Sequence, residues 1–303
     1  MLFVKTYKSS KMIKLYLFTC LISLSLAAFA QMSSEKKNQN RDWPDTGRNI
    51  KIFKGPRLID AETNETLKKH LLDFRITHLF GNFGEESGGG YHNFYGLDQS
   101  KDIRIAFDYG ITDGWMISFS RCKRHENLEA ATKLRIVEQT IDKSPLAVSI
   151  FANLTYSTVS QSSFQDYKVS DRITYAAQLI IARKFSSRIS FEIIPSYVHR
   201  NLVADSADKN DLYSLGAGLR FRFTRHTSLI ADYFYTPKVN GLTYPRYDVL
   251  GVGIEVESGG HLFSLMFTNA GGILENDYIP NTVDSWSRGG YKLSFIISRL
   301  FQL

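Results

Sequence analysis

Cysteine is all but missing from this sequence: Cys20 and Cys122 are the only two in 303 residues. Cys20 lies inside an apolar run near the start, so Cys122 stands alone in the remainder. That excludes a disulfide framework and a cysteine-based zinc site. Proline is scarce as well, with 7 in the chain, so proline-rich linkers are excluded. Beyond residue 30 no stretch of about 18 apolar residues occurs, which excludes a transmembrane helix. It does not exclude a membrane β-barrel, whose half-apolar strands escape hydropathy windows.

A surplus of positive charge is present, +7 in total, but it is local. Lys5, Lys8, Lys11 and Lys14 precede the apolar core LYLFTCLISLSL, and Ala28-Phe29-Ala30 forms a small-x-small cleavage site before Gln31. This is the pattern of a secretory signal peptide over residues 1–30, with Met12 an alternative start. Phe18 and Thr19 fit a lipoprotein site poorly. Without the four lysines the charge falls to 7 − 4 = +3, and a nucleic-acid partner loses its main support.

Residues 31–67 are polar and irregular, punctuated by Pro44, Gly47, Gly55 and Pro56. They read either as a periplasmic lead segment or as a plug that folds into a lumen. Asp60 is placed to cap a short helix through ETNETLKK.

From there to the end, in a single domain over 68–303, the period is two. In KDIRIAFDYG, Ile103, Ile105, Phe107 and Tyr109 share one face, while Asp102, Arg104, Ala106 and Asp108 share the other. In DLYSLGAGLRFRF, Tyr213, Leu215, Ala217, Leu219 and Phe221 oppose Ser214, Gly216, Gly218, Arg220 and Arg222. About twelve such segments follow one another, most of them near the ~9–11 residues of a tilted membrane strand. Every odd connection reads as long and every even one as short, the pattern of external loops and periplasmic turns. Aromatic residues such as Trp115, Tyr197, Tyr235 and Tyr291 fall at strand ends, where interfacial girdles sit. The expectation is all-β: a transmembrane antiparallel up-and-down barrel of about 12 strands, in the outer membrane, with both termini in the periplasm.

An inverted barrel turns its polar parity inward. The lumen-facing candidates are Arg75, Asp102, Arg104, Asp108, Arg135, Glu192, Arg220, Arg222, Asp232 and Glu255, joined by Asp73, Glu129, Lys133, Asp248 and Lys292. Both signs are present in similar number. Two readings stay open: a salt-bridged interior that braces a narrow barrel, and a pore lining for small solutes.

The stretches HLLDFRITHLFG, YGLDQSKDIRIAFDYGITD and QLIIARKFSSRISFEIIPSYVHRNLV resemble a family of exported Gram-negative β-barrel proteins catalogued as a domain of unknown function. The resemblance runs from about Leu71 to Tyr235. It implies an outer-membrane barrel and supplies no catalytic or binding residues. The C-terminal strand also resembles those read by barrel-assembly machinery, with Tyr291, Phe295, Phe301 and Leu303 as its signal residues, although Leu303 stands where an aromatic residue is usual. Arg299 falls on the lipid parity there and requires either a position at the periplasmic rim or a bulge after Ile297.

Catalytic and metal signatures are weak. His261 and Ser264 are three apart on one strand and so point to opposite faces. His78 and His199 sit near the outer ends of their strands, where a lipid-modifying enzyme would place its site. Glu275 and Asp277 in ILENDYIP are too few for a calcium site. Gly88, Gly89 and Gly90 lack the Lys-Ser/Thr of a phosphate loop, and Tyr91, Phe94 and Tyr95 beside them either stack on sugars or fold their loop over the barrel mouth. No cofactor is called for. The expected partners are outer-membrane lipid, assembly machinery and small solutes. A small channel or transport-related barrel leads, with a lipid-modifying enzyme and a closed structural or surface-receptor barrel as alternatives.

Overall fold

A computed structural model describes residues 50–141, 143–159, 168–258 and 260–303. The signal-peptide reading and the first part of the lead segment lie outside the described residues. The chain forms twelve antiparallel strands: β1 Leu71–Asn82, β2 Ser100–Thr112, β3 Trp115–Cys122, β4 Asn127–Val137, β5 Ala147–Ser157, β6 Ile173–Lys184, β7 Ile189–Arg200, β8 Asp211–Arg222, β9 Thr227–Tyr235, β10 Val249–Ser258, β11 His261–Thr268 and β12 Lys292–Gln302. Each pairs with its neighbour in sequence, and β1 pairs with β12 to close the barrel. Ile76 sits opposite Ile297 across that seam. Closure leaves no sheet edge, which is the condition for a sheet surrounded by hydrocarbon.

Side-chain alternation assigns the two faces. In β2, Ile105 and Phe107 are exposed while Asp102, Arg104 and Asp108 are buried. In β8, Tyr213 and Leu215 are exposed while Ser214 and Arg220 are buried. Apolar groups outside and polar groups inside is the arrangement of a barrel whose solvent is lipid. One predicted inward residue is misplaced. Asp248 precedes β10 on the outward parity, where the Tyr233 hydroxyl donates to it. Counting inward from Val249, Gly251 and Glu255, which are buried, puts it one residue out of phase.

The alternation of connection lengths holds with one exception. The β3–β4 connection is only residues 123–126, shorter than the β4–β5 connection at 138–146. The reason is local: Asn127 and Leu128 are paired with Ser157 and Tyr156 and extend β4 towards the loop end.

The interior is not empty. Residues 50–67 enter from the short-turn end, where the Ile50 N–H donates to the Gln139 carbonyl (2.9 Å) and Lys184 Nζ to the Lys51 carbonyl (2.9 Å). They turn at 58–61, where the Leu58 N–H donates to the Ala61 carbonyl, and return to the same end, where the Lys69 N–H donates to Asp113. The helix expected after Asp60 does not form. The Glu65 carboxylate instead accepts the Ile52 and Phe53 N–H groups, and Thr63 Oγ1 donates to the Gly55 carbonyl, so the backbone is satisfied across a hairpin.

From the opposite end, part of the β11–β12 connection also folds inward. Its short helix α1, Glu275–Asn281, is buried from Glu275 to Pro280. The sequence pattern placed this connection outside as a long loop. Ile273, Leu274, Tyr278 and Ile279, all almost fully buried, are what draw it in.

Candidate functional site

The bore is two-sided. Along β1–β4 most inward positions are charged or polar, with Leu79, Ala106, Met116 and Ala131 among the apolar exceptions. Arg75 bridges Asp73 (2.6 Å) and Asp108 (2.9 Å). Arg104 bridges Glu129 (2.7 Å) and donates to Ser120 Oγ (3.0 Å). Along β6–β9 the inward positions include Ile180, Ile194, Val198, Ile230 and Phe234, all buried. Against this apolar half pack the two inserted segments: Ile52, Phe53, Leu58 and Ile59 cluster with Ile230, and Tyr278 lies with its ring 5.0 Å from that of Phe234. These apolar positions are not among the expected lumen residues; their character follows from what covers them.

The hairpin and α1 complete the charge network. Lys133 Nζ reaches Glu62 (2.7 Å) and the Pro56 carbonyl (2.7 Å). Asp232 accepts the N–H groups of Asp60 (2.7 Å) and Ala61 (2.8 Å), and Thr268 Oγ1 donates to Asp60 (2.6 Å). Asn153 bridges Glu129 and Glu275, at 2.9 Å each. Arg57 joins the two inserts, bonding Glu62 (3.0 Å), the carbonyls of Asp60 and Ile273, and Glu275 (3.3 Å). Every one of these groups is removed from water, so pairing is required for the charges to be held there. Sequence reasoning missed Arg57, Glu62 and Glu275, because nothing local distinguishes them from solvated loop charges.

The other inward candidates are spread along the wall. Arg220 bridges Glu255 at 2.8 Å. Glu192 is buried beside Gly218. Arg135 reaches Glu138 (2.8 Å) and, more distantly, Glu65 (3.8 Å). Arg222 is half-buried at the short-turn end of β8. Asp102 serves the loops instead of the bore: its carboxylate accepts the N–H groups of Arg124 (2.8 Å), Ile103 (2.9 Å) and Ile273 (3.1 Å). On the charged side lies a cavity of about 10 Å³ lined by Glu62, Arg104, Asp108, Lys133 and Phe151 among others. That is room for about one water.

Two wall glycines make space for the hairpin. A Cβ on Gly218 would lie 2.9 Å from Leu58 Cδ1, and one on Gly251 would lie 2.8 Å from Ile59 Cγ2. Both contacts are closer than packed carbon atoms approach.

Outside the bore, His78 faces outward, with its ring 4.1 Å from Phe80 and 5.5 Å from Phe295. His199 also faces outward. Asp211 holds its Nδ1 (2.8 Å) and Asn201 its Nε2 (3.0 Å), so both ring nitrogens are engaged. Among the described residues neither ring is hydrogen-bonded to a serine hydroxyl. At the C-terminal strand, Tyr291 and Phe295 are on the outward parity, and Phe301 and Leu303 are exposed at the short-turn end. The pairing of β12 with β1 runs without interruption from Ser294 to Gln302, so no bulge follows Ile297. Arg299 lies opposite His261, the first residue of β11, next to the short turn, and stacks its guanidinium over Phe301. It is a rim arginine.

The loops at the other end are tied together by carboxylates. Asp205 receives the Thr243 N–H (2.7 Å) and hydroxyl (2.8 Å), and the Thr243 and Ala207 N–H groups hold it below the usual carboxylate range. Asp208 receives Arg200 (2.8 Å), Arg246 (2.7 Å) and Tyr244 (2.9 Å). Burial pushes its carboxyl up, and the two guanidinium groups outweigh this and hold it at about 2.

No curated protein matches this sequence. Among solved structures, the chain is similar to the NanC porin (9% identity, TM-score 0.47, covering 77% of this chain and 99% of that one). It is similar also to the KdgM porin (8% identity, TM-score 0.45, 77% and 99%). A further likeness is to a mutant of the Rh. blastica porin (13% identity, TM-score 0.32, 66% and 56%). Residues 53–301 match the family model described as "Membrane bound beta barrel domain (DUF5777)", a span that includes the hairpin tip, α1 and the twelve strands up to the penultimate residue of β12. The chain therefore belongs to this family of membrane-bound β-barrel domains.

Proposed function

We propose that this protein is an outer-membrane, transport-related barrel for small polar solutes, with its path held closed by the hairpin at 50–67 and by the inward part of the β11–β12 connection. The observation that carries this reading is the asymmetry of the bore. The apolar side chains of both inserts pack on the apolar half, and the residual cavity lies on the other side, between Glu62 and the wall groups Arg104, Asp108 and Lys133, with Met116, Ala131 and Phe151. A path opened by a shift of the inserts would run along a surface bearing both charge signs. Such a surface suits small dipolar or zwitterionic solutes better than ions of one sign. The lumen-facing charges are then the solute lining: Arg75, Asp108, Arg104 and Lys133 on one side, Arg57 and Glu62 on the other.

The signal peptide at 1–30 would export the chain. The short-turn end, which carries the termini and Arg299, would face the periplasm, and the strand ending at Leu303 would be the segment read by assembly machinery. A second reading is favoured by one specific observation, the small size of the residual cavity. It is a permanently closed barrel acting through its long loops.

Single-channel recording in planar bilayers separates the two. Under the transport reading the full chain gives small, infrequent conductance steps, and a chain lacking residues 50–67 gives larger and longer ones. Absence of conductance from both, with the barrels shown to be folded by their heat-dependent shift on electrophoresis, would sink it.

A further inference from the structure

We infer that the β1–β2 connection is a second membrane contact, an aromatic platform seated in the lipid headgroup layer at the long-loop end of the barrel. The sequence leaves two readings for Tyr91, Phe94 and Tyr95, stacking on sugars or folding this loop over the barrel mouth. The structure turns the loop the other way.

The ring of Tyr95 stacks on Phe83 at 5.0 Å, and Phe83 stacks on Tyr291 at 5.4 Å. Tyr291 meets Phe267 edge-on at 5.7 Å. Phe267 is on the outward parity of β11, after the exposed Phe263 and Leu265. The column from Tyr95 to Phe267 thus joins the loop directly to the face of the wall that meets lipid. The family assignment makes that face an existing membrane interface, and the platform continues it outward past the strand ends.

The loop is built to hold this pose. Asn93 is buried and works as an internal brace: its Nδ2 donates to the Gly88 carbonyl (2.9 Å) and its Oδ1 accepts the Gly96 N–H (3.0 Å). Phe94 and Tyr95 both sit at positive φ, 51° and 55°. Aromatic residues adopt that region rarely, and two in succession are held there only when their surroundings demand it. The outcome is that Tyr91 and Phe94 remain 77% and 62% exposed, although a chain free to relax would bury rings of this size.

The chemistry of the patch selects the occupant. Residues 87–97, SGGGYHNFYGL, carry no Lys, Arg, Asp or Glu. The exposed charges of the connection, Glu85, Glu86 and Asp98, flank this run, and a surface of tyrosine, phenylalanine and histidine beside them matches the boundary between headgroups and acyl chains, where amphipathic rings collect. The backbone also clips this loop to the β11–β12 connection: the Gly84 N–H donates to the Gly289 carbonyl (2.8 Å), so the platform and that connection are mechanically joined.

The test places a fluorophore on the platform of the full-length protein. Cys20 and Cys122 are replaced by serine, Phe94→Cys or Tyr91→Cys is introduced, and the thiol is labelled with bimane. The protein is reconstituted in phosphatidylcholine vesicles containing a small fraction of lipid with a nitroxide high on the acyl chain. Lys143→Cys, in the β4–β5 connection, carries the same label as a water-exposed control. At either platform position the nitroxide lipid should quench about twofold or more strongly than at position 143, with iodide quenching reduced correspondingly. Iodide quenching equal to that at position 143, without a nitroxide effect, overturns the proposal. So does shielding seen only at high protein-to-lipid ratio, because that would mean the patch is covered by a second copy of the chain. The two positions are independent, so a folding defect in one leaves the other to decide, and the heat-dependent electrophoretic shift verifies each barrel.

Discussion

Arg57 and Glu275 approach to 3.3 Å inside the barrel, although one arrives from the short-turn end and the other from the long-loop end. Arg57 also holds Glu62 at 3.0 Å. Replacing it by alanine leaves two buried carboxylates without their common partner. Arg57→Ala should therefore destabilise the barrel by about 3–5 kcal/mol, the cost of breaking a buried pair from one side. Urea unfolding in detergent micelles, followed by tryptophan fluorescence, measures this. Adding Glu275→Gln should recover a substantial part of the loss, because the carboxylate left without a cation is then gone, whereas Glu62 keeps Lys133 at 2.7 Å.

Hairpin residence can be tested from the wall side. Gly218→Val introduces a Cβ 2.9 Å from Leu58 Cδ1 and 2.6 Å from Glu192 Oε1. Overpacking of this kind costs about 1–3 kcal/mol. The expected result is a folded barrel in which residues 50–67 become susceptible to limited proteolysis. A hairpin as resistant as in the unaltered chain would show that the wall glycine is not needed to accommodate it.

The loop clasp has a defined pH response. Asp208 is held down to about 2 against burial by Arg246 and Arg200. Because its folded value is depressed, the stabilisation is fully present above the unfolded carboxylate value of about 3.9 and is lost as pH falls towards 2. Hydrogen exchange in residues 201–210 and 236–248 should rise across that window and stay flat from pH 5 to 8. Asp208→Asn should show the faster exchange already at pH 7.

Position along β12 sets the cost of charge on the lipid face. Arg299 lies beside the short turn and Ile297 about mid-strand. Ile297→Arg should cost about 2–4 kcal/mol and Arg299→Leu no more than about 1 kcal/mol in either direction. Urea unfolding in lipid vesicles gives both numbers. Equal effects would contradict the rim placement of Arg299.

Much of the wall was legible in the sequence, for a physical reason. A strand between lipid and a filled bore must alternate at every position, so β2 and β8 announce their faces without help from partners. The interior was less legible. Asp60 resembled a helix cap because short-range rules see only the next few residues. In the structure its carboxylate accepts from Thr268, more than two hundred residues away. The sequence GGILENDYIP read as an external loop with too few carboxylates for calcium. Its apolar residues had no period to betray an inward turn, and only the apolar wall at Ile180, Ile194 and Phe234 explains them. Tyr91, Phe94 and Tyr95 were visible as a cluster, but their direction depended on Phe83 and Tyr291 stacking from two different connections.

The seam between β1 and β12 also bears on how the insert is held. Pairs such as Ile76 with Ile297 join residues separated by nearly the whole barrel sequence, so they close the longest loop in the sheet. The hairpin lies just ahead of β1 and meets β4, β5, β7, β9 and β11 around the bore, through Lys133, Ser149, Ser190, Asp232 and Thr268. A cylinder already shut would admit such a branched set of contacts only through its narrow end. With β12 zipped onto β1 the insert is a keyed core: bonded to five strands inside a closed ring, it can leave only along the axis of the bore.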